Sequence, residues 1–94
     1  MTSVLLAMIA RIPADGVAAF QAYEDQVLPL LSEHDGRLER RLRSGDGTVE
    51  VHLVRFGSRS AFEGYREDPR RQAATALLHA SRASLEVMDV NDVA

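Results

Sequence analysis

The chain opens with a continuous apolar run and continues with residues that recur at helical intervals. Residues 3–13, SVLLAMIARIP, are apolar without a helical period and end at a proline, which is typical of a strand buried on both faces. One face of a helix is predicted by Phe20, Tyr23, Val27, Leu30, Leu31 and His34, which recur every three or four positions. We expect Asp15 to cap this helix and Gly36 to end it in the left-handed conformation. Pro29 should bend the helix without ending it.

Two alternating segments separated by a turn signal follow the helix. Residues 37–43 alternate loosely, and residues 48–56 alternate and are rich in β-branched side chains. The intervening SGDG, residues 44–47, favours a tight turn. The sequence therefore predicts a β-hairpin.

The C-terminal third predicts a second helix in two pieces and a last strand. Ser58 or Ser60 can cap the first piece. Asp68 followed by Pro69 predicts that the helix restarts there. We expect the second piece to bury Ala73, Ala76, Leu77 and Ala80. Residues 84–90, SLEVMDV, alternate and predict the fourth strand.

The order strand, helix, strand, strand, helix, strand is the ferredoxin-like βαββαβ pattern of an α+β protein with a four-stranded antiparallel sheet. The 94 residues suit a single such domain, residues 1–94. Two helices cover one face of the sheet, yet Leu5, Ala7 and Ile9 would make the other face of the first strand apolar as well. We therefore predict a homodimer through the open sheet face, which would bury more than ~1,000 Å².

Composition narrows the classes of partner. The chain has no Cys, and its three His are far apart in sequence, so we expect no metal and no other cofactor. A net charge of -3 argues against nucleic acid as a partner. The longest apolar run is far shorter than the ~20 residues that cross a bilayer, and the N-terminus lacks a basic segment, so we expect no membrane contact and a cytoplasmic protein.

Several short motifs carry a resemblance to a known superfamily. LLSEHDGRLERR places a glycine between a helix and a strand, and Phe56-Gly57-Ser58 ends a strand. The next helix has Ala61, Tyr65, Pro69 and Gln72 in the pattern A-x-x-x-Y-x-x-x-P-x-x-Q. In these features the chain resembles the dimeric α/β-barrel superfamily, and within it a family of small bacterial domains of unknown function. The resemblance implies two ferredoxin-like protomers packed sheet against sheet.

The chain is also similar, more distantly, to the antibiotic-biosynthesis monooxygenase group, cofactor-independent enzymes that oxidise aromatic polyketides. That group usually has Trp at the end of its third strand and a His in its second helix. This chain has Phe56 and Tyr65 at those places and contains no Trp. The two departures argue against oxygenase chemistry here, and equally against the haem degradation found elsewhere in the superfamily.

His52 is the leading candidate for a functional residue. It lies four positions before Phe56 in the predicted third strand, so the two side chains share a face. If Phe56 anchors the second helix, His52 points between sheet and helices, where pockets are common in the superfamily that the chain resembles. There it can act as a general base or orient a ligand, with Tyr65 and Tyr23 as hydroxyl donors. The competing interpretation is a hydrogen-bonded core histidine beside two packed tyrosines.

Other charged residues favour structural roles. Arg37, Glu39, Arg41 and Arg43 are expected to share one face of the second strand, as an anion site or as a salt-bridge ladder. His34 is expected to interact with the end of the first helix through the helix dipole.

Two classes of function fit these residues. One is an uncharacterised binding protein that holds a small hydrophobic molecule through His52, Tyr65, Tyr23 and Phe56 without turnover. The other is a cofactor-independent monooxygenase or cyclase acting on an aromatic or polyketide-like substrate, with His52 and Tyr65 as catalytic residues. Whether the protein is an enzyme stays open at this point. The missing Trp and helix His favour the first class.

Overall fold

The alternating and continuously apolar segments all form strands. In the computed structural model, which describes residues 2–93, the strands are β1 (Val4–Arg11), β2 (Gly36–Arg43), β3 (Val49–Phe56) and β4 (Ser84–Asp89). They form one antiparallel sheet in the order β2-β3-β1-β4, so the two most apolar strands lie at its centre. The predicted four-stranded antiparallel sheet is confirmed.

The helices are α1 (Val17–Val27), α2 (Arg59–Arg66) and α3 (Pro69–Ser81), and 3-10 turns at Ala14–Gly16 and Leu28–His34 flank α1. They cover one face of the sheet. Their contact with it is centred on a buried cluster of Leu6, Leu30, Leu31, Phe56 and Tyr65. The resulting βαββαβ order confirms the predicted ferredoxin-like α+β fold.

The start of the first helix differs from the prediction. Asp15 does not cap α1, because it lies inside the preceding 3-10 turn and pairs with Arg82 instead. The N-cap of α1 is Gly16, which offers no side chain to the helix. A Cβ at this position would lie 2.0 Å from the carbonyl oxygen of Ser81. Glycine is therefore required by the close approach of α3 to this turn, rather than by the cap.

The end of the first helix also differs. The α-helix stops at Val27, and the chain continues as 3-10 turns with Pro29 near their start. Proline has no N–H and its ring crowds the carbonyl four residues earlier, so the α-helical pattern does not pass it. The left-handed residue is Asp35, with φ 53°, and Gly36 begins β2. A Cβ on Gly36 would lie 2.6 Å from the ring of Phe56, which explains a glycine at that place.

A β-bulge divides the arginine-rich strand. The pairing of β2 with β3 shifts between Leu38 and Arg40, so residues after the bulge change faces. Arg41 and Arg43 lie opposite His52 and Glu50, on the helix-covered face. The prediction of one shared face was therefore wrong, because it assumed an unbroken two-residue period.

The other side of the bulge carries its own ion pairs. Arg37 lies opposite Arg55 on the open face of the sheet. Both arginines donate to the Glu39 carboxylate, at 3.2 and 2.7 Å. The residues that the sequence placed in one group thus belong to two separate clusters.

The two caps of the second helical region lie where the sequence places them. Ser58 accepts a hydrogen bond from the Ala61 backbone N–H at 3.1 Å, and Asp68 accepts one from the Arg70 N–H at 2.8 Å. The expected buried face of α3 was wrong for three of its four residues, since Ala73, Ala76 and Ala80 are exposed and only Leu77 is partly buried. The buried alanine is Ala74, which packs on α1.

Candidate functional site

A cavity of about 410 Å³ lies between the helix-covered face of the sheet and the helices. This volume falls within the ~300–1,000 Å³ of small-molecule sites. The structure brings the four sequence candidates together on its wall: His52, Tyr65, Tyr23 and Phe56. Apolar side chains from three strands form much of its floor, namely Leu6, Met8, Val54, Leu85 and Val87.

Glu50 is the fully buried carboxylate beneath this wall. It lies two residues before His52 in β3, so the strand period directs both side chains toward the helices. Arg41 and Arg43 cross from β2 to donate to its oxygens at 3.0 and 2.9 Å. Burial alone would raise the pKa of Glu50, but the hydrogen bonds from Arg41, His52 and Arg43 outweigh it and lower the pKa to about 2. Glu50 is therefore a permanent anion with acceptor oxygens only.

The charge on Glu50 fixes the tautomer of His52. The Nε2 atom of His52 lies 2.8 Å from a Glu50 oxygen, so Nε2 carries the proton and donates it. Burial lowers the pKa of His52 despite the opposing effect of Glu50, so the ring is neutral at pH 7. In a neutral ring with Nε2 protonated, Nδ1 is an acceptor. Because Glu50 leaves only one nitrogen free, the imidazole can take a proton at a single defined atom.

Glu24 on α1 faces this free nitrogen. Its Oε2 atom lies 3.6 Å from His52 Nδ1, and its side chain is buried and lines the cavity. Burial, followed by the negative charge of Glu50, raises the pKa of Glu24 to about 7, although Arg41 and Arg71 oppose the rise. A carboxyl group with this pKa exchanges its proton at neutral pH. Glu24 and His52 therefore form a pair that can accept or release one proton inside the cavity.

Tyr65 packs deeply and uses its hydroxyl for the main chain. Its ring centroid lies 5.5 Å from that of Phe56, and its O–H donates to the Val27 carbonyl at 3.2 Å. Burial raises the pKa of Tyr65 to about 12, so it stays protonated. Tyr65 and His52 therefore line the same cavity without a hydrogen bond between them, because the Tyr65 hydroxyl donates to Val27.

Tyr23 lines the cavity from α1 and contacts Arg71, a residue that we did not single out in the sequence. The Tyr23 hydroxyl accepts a hydrogen bond of 2.8 Å from the guanidinium of Arg71 on α3. The same guanidinium lies 4.5 Å from the centroid of the Tyr65 ring. This brings a positive charge to the cavity wall.

Glu24, Glu50 and Arg71 are thus three polar residues of the site that our sequence reasoning missed. Two of them carried a signal. Glu24 is four residues after Phe20 and three before Val27, so it belongs to the predicted apolar stripe. Glu50 shares the two-residue period that we used for His52 and Phe56. A carboxylate inside either pattern marks a buried charge.

Other kinds of site find little support within residues 2–93. No group of three or more His, Asp or Glu side chains there is arranged to hold a metal ion, and no helix there is long and apolar enough to cross a membrane. His34 bonds to Asp68 at 2.8 Å, which ties the end of the 3-10 turn to the start of α3.

Comparison with known proteins places the fold. No family model matches the chain, and no curated protein does. Among solved structures, Rv0793 from Mycobacterium tuberculosis is 21% identical, with a TM-score of 0.74 and 99% of each chain covered. A suspected antibiotic biosynthesis monooxygenase from Bacteroides thetaiotaomicron has a TM-score of 0.80 at 10% identity, covering 99% of this chain and 91% of its own.

A third structure is that of SnoaB, a cofactor-independent oxygenase from Streptomyces nogalater. It is 15% identical, with a TM-score of 0.72, and the match covers 99% of this chain and 97% of that one. The predicted likeness to the antibiotic-biosynthesis monooxygenase group is thereby confirmed for the fold. Fold likeness at such low identity does not transfer an activity.

Proposed function

We propose that the protein binds a small hydrophobic molecule in the cavity between its sheet and helices. The observation that carries the proposal is the wall itself, where Tyr23, His52, Phe56 and Tyr65 converge on about 410 Å³ of space with an apolar floor. Pockets of this kind, mostly apolar with a few polar groups, are the usual form of a small-molecule site. The polar groups would orient the ligand, and the floor would supply the affinity.

Binding of a neutral apolar dye, N-phenyl-1-naphthylamine, tests the proposal by fluorescence. Val87 lies on the edge strand β4 and lines the cavity, and it is 53% exposed, so Val87→Trp should fold and obstruct the site. Val93, which is 96% exposed and does not line the cavity, supplies the matched control Val93→Trp. We expect the first variant to weaken dye binding and the second to leave it unchanged. Equal effects, or a wild-type protein that does not bind the dye, would contradict the proposal.

A homodimer through the open sheet face is the second part of the proposal. By strand pairing, this face presents Leu5, Ala7, Ile9, Leu42, Val51, Leu53 and Met88. None of the helices within residues 2–93 covers it, and Leu42 is 45% exposed in the single chain. An apolar patch of this kind, here flanked by the ion-paired Arg37, Glu39 and Arg55, is typical of an interface, and a second copy presents a matching surface about a two-fold axis. The cytoplasmic location expected from the sequence stays a prediction.

Light scattering on Leu53→Arg tests the dimer. A charge at the centre of this face should convert the dimer to a monomer, since an unpaired buried charge costs several kcal/mol. Gly45→Arg in the exposed hairpin turn, where nothing lies within 4 Å of the new Cβ, is the control and should remain dimeric. A wild-type monomer at micromolar concentration would contradict this assembly.

Enzymatic turnover is the alternative that one observation favours. The Glu24–His52 pair can take a proton at neutral pH inside an apolar cavity, which is what a cofactor-independent monooxygenase or cyclase needs to activate an aromatic or polyketide-like substrate. Oxygen uptake with an aromatic hydroquinone, measured against the protein-free rate, tests the oxygenase. His52→Ala should abolish any uptake above that rate, and a rate equal to the protein-free one would leave binding as the function.

A further inference from the structure

Arg71 is a cation on the cavity wall without an anionic partner. No ion pair joins its guanidinium to a carboxylate within residues 2–93, although most arginines there form one. Its Nε atom is buried and has no acceptor at all. A buried donor without an acceptor costs about 1–3 kcal/mol. A ligand carboxylate beside this guanidinium would supply the anionic partner that Arg71 lacks.

The Tyr23 hydroxyl adds a second donor at the same place. It accepts from Arg71, and its own proton has no acceptor among the hydrogen bonds of the described residues. Burial raises the pKa of Tyr23, so the hydroxyl keeps this proton at neutral pH. A guanidinium and an O–H proton that share one hydrogen bond therefore offer adjacent donors, which is the pattern that binds the two oxygens of a carboxylate.

We propose that this corner of the cavity is a carboxylate subsite, where Arg71 and Tyr23 hold the carboxylate of an otherwise apolar acid and Glu24 takes up a proton as the acid binds. The inference rests on the proposed function, because it concerns the same cavity, and it narrows the ligand to an apolar carboxylic acid, such as an aromatic one.

Proton uptake follows from the groups around Glu24. The ligand enters as an anion, and an ionised Glu24 beside it would add a second negative charge to a buried space. The groups that face Glu24 include His52 and Glu50 on β3, Arg41 on β2 and Arg71 on α3, with Asp25 next in sequence. Glu24 takes this proton from an acid in solution, such as the buffer, so that a bond to hydrogen breaks in that acid as the Glu24 O–H bond forms, and no electrons are transferred. The O–H then faces His52 Nδ1, which carries no proton.

The pH dependence has a defined sign. The cavity binds the ligand best when Glu24 is neutral, and the pKa of Glu24 is about 7. Affinity should therefore be constant well below pH 7 and fall by about tenfold per pH unit above it. Glu24→Gln, which is neutral throughout, should remove this decline.

The first test compares 2-naphthoate with its methyl ester by calorimetric titration. Charge-assisted hydrogen bonds correspond to about 10–100-fold in affinity, so the acid should bind that much more tightly than the ester at slightly acid pH. Arg71→Met should remove the preference. Arg66→Met is the matched control, since Arg66 also lines the cavity and stacks on an aromatic ring, Phe62 at 5.5 Å, but is exposed and pairs with Glu63.

The second test measures proton uptake directly. Titration of 2-naphthoate in two buffers with different ionisation enthalpies near pH 7 should show net uptake by the wild-type protein and none by Glu24→Gln. Arg71→Lys keeps the positive charge and should therefore retain part of the preference for the acid. If Arg71→Lys binds the acid and Arg71→Met does not, loss of the charge rather than loss of folding explains the Arg71→Met result.

The outcomes separate this inference from the proposed function. Equal affinity for acid and ester, or an Arg71→Met variant that keeps the preference, would overturn the carboxylate subsite and leave a cavity that binds apolar molecules. Binding without proton uptake would overturn the role of Glu24. If neither naphthalene derivative binds, both the subsite and the proposed function are wrong.

Discussion

Replacing Glu24 by Gln should make the protein more stable at neutral pH, and increasingly so as the pH rises from acid values. The side chain is 4% exposed, and its pKa rises from 4.5 to about 7 on folding. At 1.36 kcal/mol per pH unit, this rise corresponds to about 3 kcal/mol. Below pH 4.5 both folded and unfolded chains hold the proton, so the carboxyl group costs nothing there. Between pH 4.5 and about 7 only the unfolded chain releases it, which favours unfolding.

The assay is urea denaturation of both proteins across this range, at one fixed protein concentration because the expected dimer makes stability concentration-dependent. The free energy of unfolding of Glu24→Gln, relative to wild type, should rise by about 3 kcal/mol between acid pH and slightly alkaline pH, then stay constant. Contributions of His52 and Glu50 are present in both proteins and largely cancel in the difference. The Gln amide keeps a polar group facing His52 Nδ1, so the surroundings of that atom stay polar.

Two parallel profiles would refute the reasoning. They would mean that Glu24 releases its proton at an ordinary pH in the folded protein, through water in the cavity or movement of the side chain. A difference that grows toward acid pH would reverse the sign and show that the folded state favours the ionised form. Either result would also remove the basis for proton exchange between Glu24 and His52.

Two further substitutions test the packing that positions the site. Gly16→Ala should destabilise the protein by about 1–3 kcal/mol in thermal or urea unfolding, because its Cβ would collide with the Ser81 carbonyl. Gly45→Ala, with no atom within 4 Å of the new Cβ, should be near neutral, and equal effects of the two would contradict the steric argument. Tyr65→Phe should cost about 1 kcal/mol by losing its hydrogen bond to Val27, and an unchanged stability would show that this bond contributes nothing.

The strands and their order along the chain could be predicted because the period of the apolar residues shows which side chains are buried. β1 and β3 lie at the centre of the sheet and are the most apolar segments, so their patterns are clear. β2 is the strand for which the predicted faces were wrong. Its sequence, GRLERRLR, contains so many charges that the bulge after Leu38 leaves no visible break in the alternation. Register shifts of this kind depend on pairing with the neighbouring strand, which a single segment does not reveal.

The helices show a second limit. Their caps are local and could be predicted, since Ser58 and Asp68 bond to backbone groups two or three residues away. The buried face of α3 is set by contact with α1, where Ala74 packs against Tyr23 and Val27. With several alanines in a row, no pattern in the sequence distinguishes one face from another. Local chemistry was therefore predictable, and the rotation of a helix about its axis was not.

Three polar residues of the candidate site, Glu24, Glu50 and Arg71, were not singled out from the sequence, and their surroundings bear on what the site does. Glu50 is a buried charge with two arginine partners and a histidine, so its role is complete without a ligand: it fixes the tautomer of His52. Glu24 and Arg71 are different, since both lie on the cavity wall and neither has a charged partner within hydrogen-bond distance in the described chain. If only stability were selected, apolar residues at these two positions would serve better. A carboxyl group and a guanidinium on one cavity wall, neither with a charged partner, therefore support the proposal that a ligand binds there.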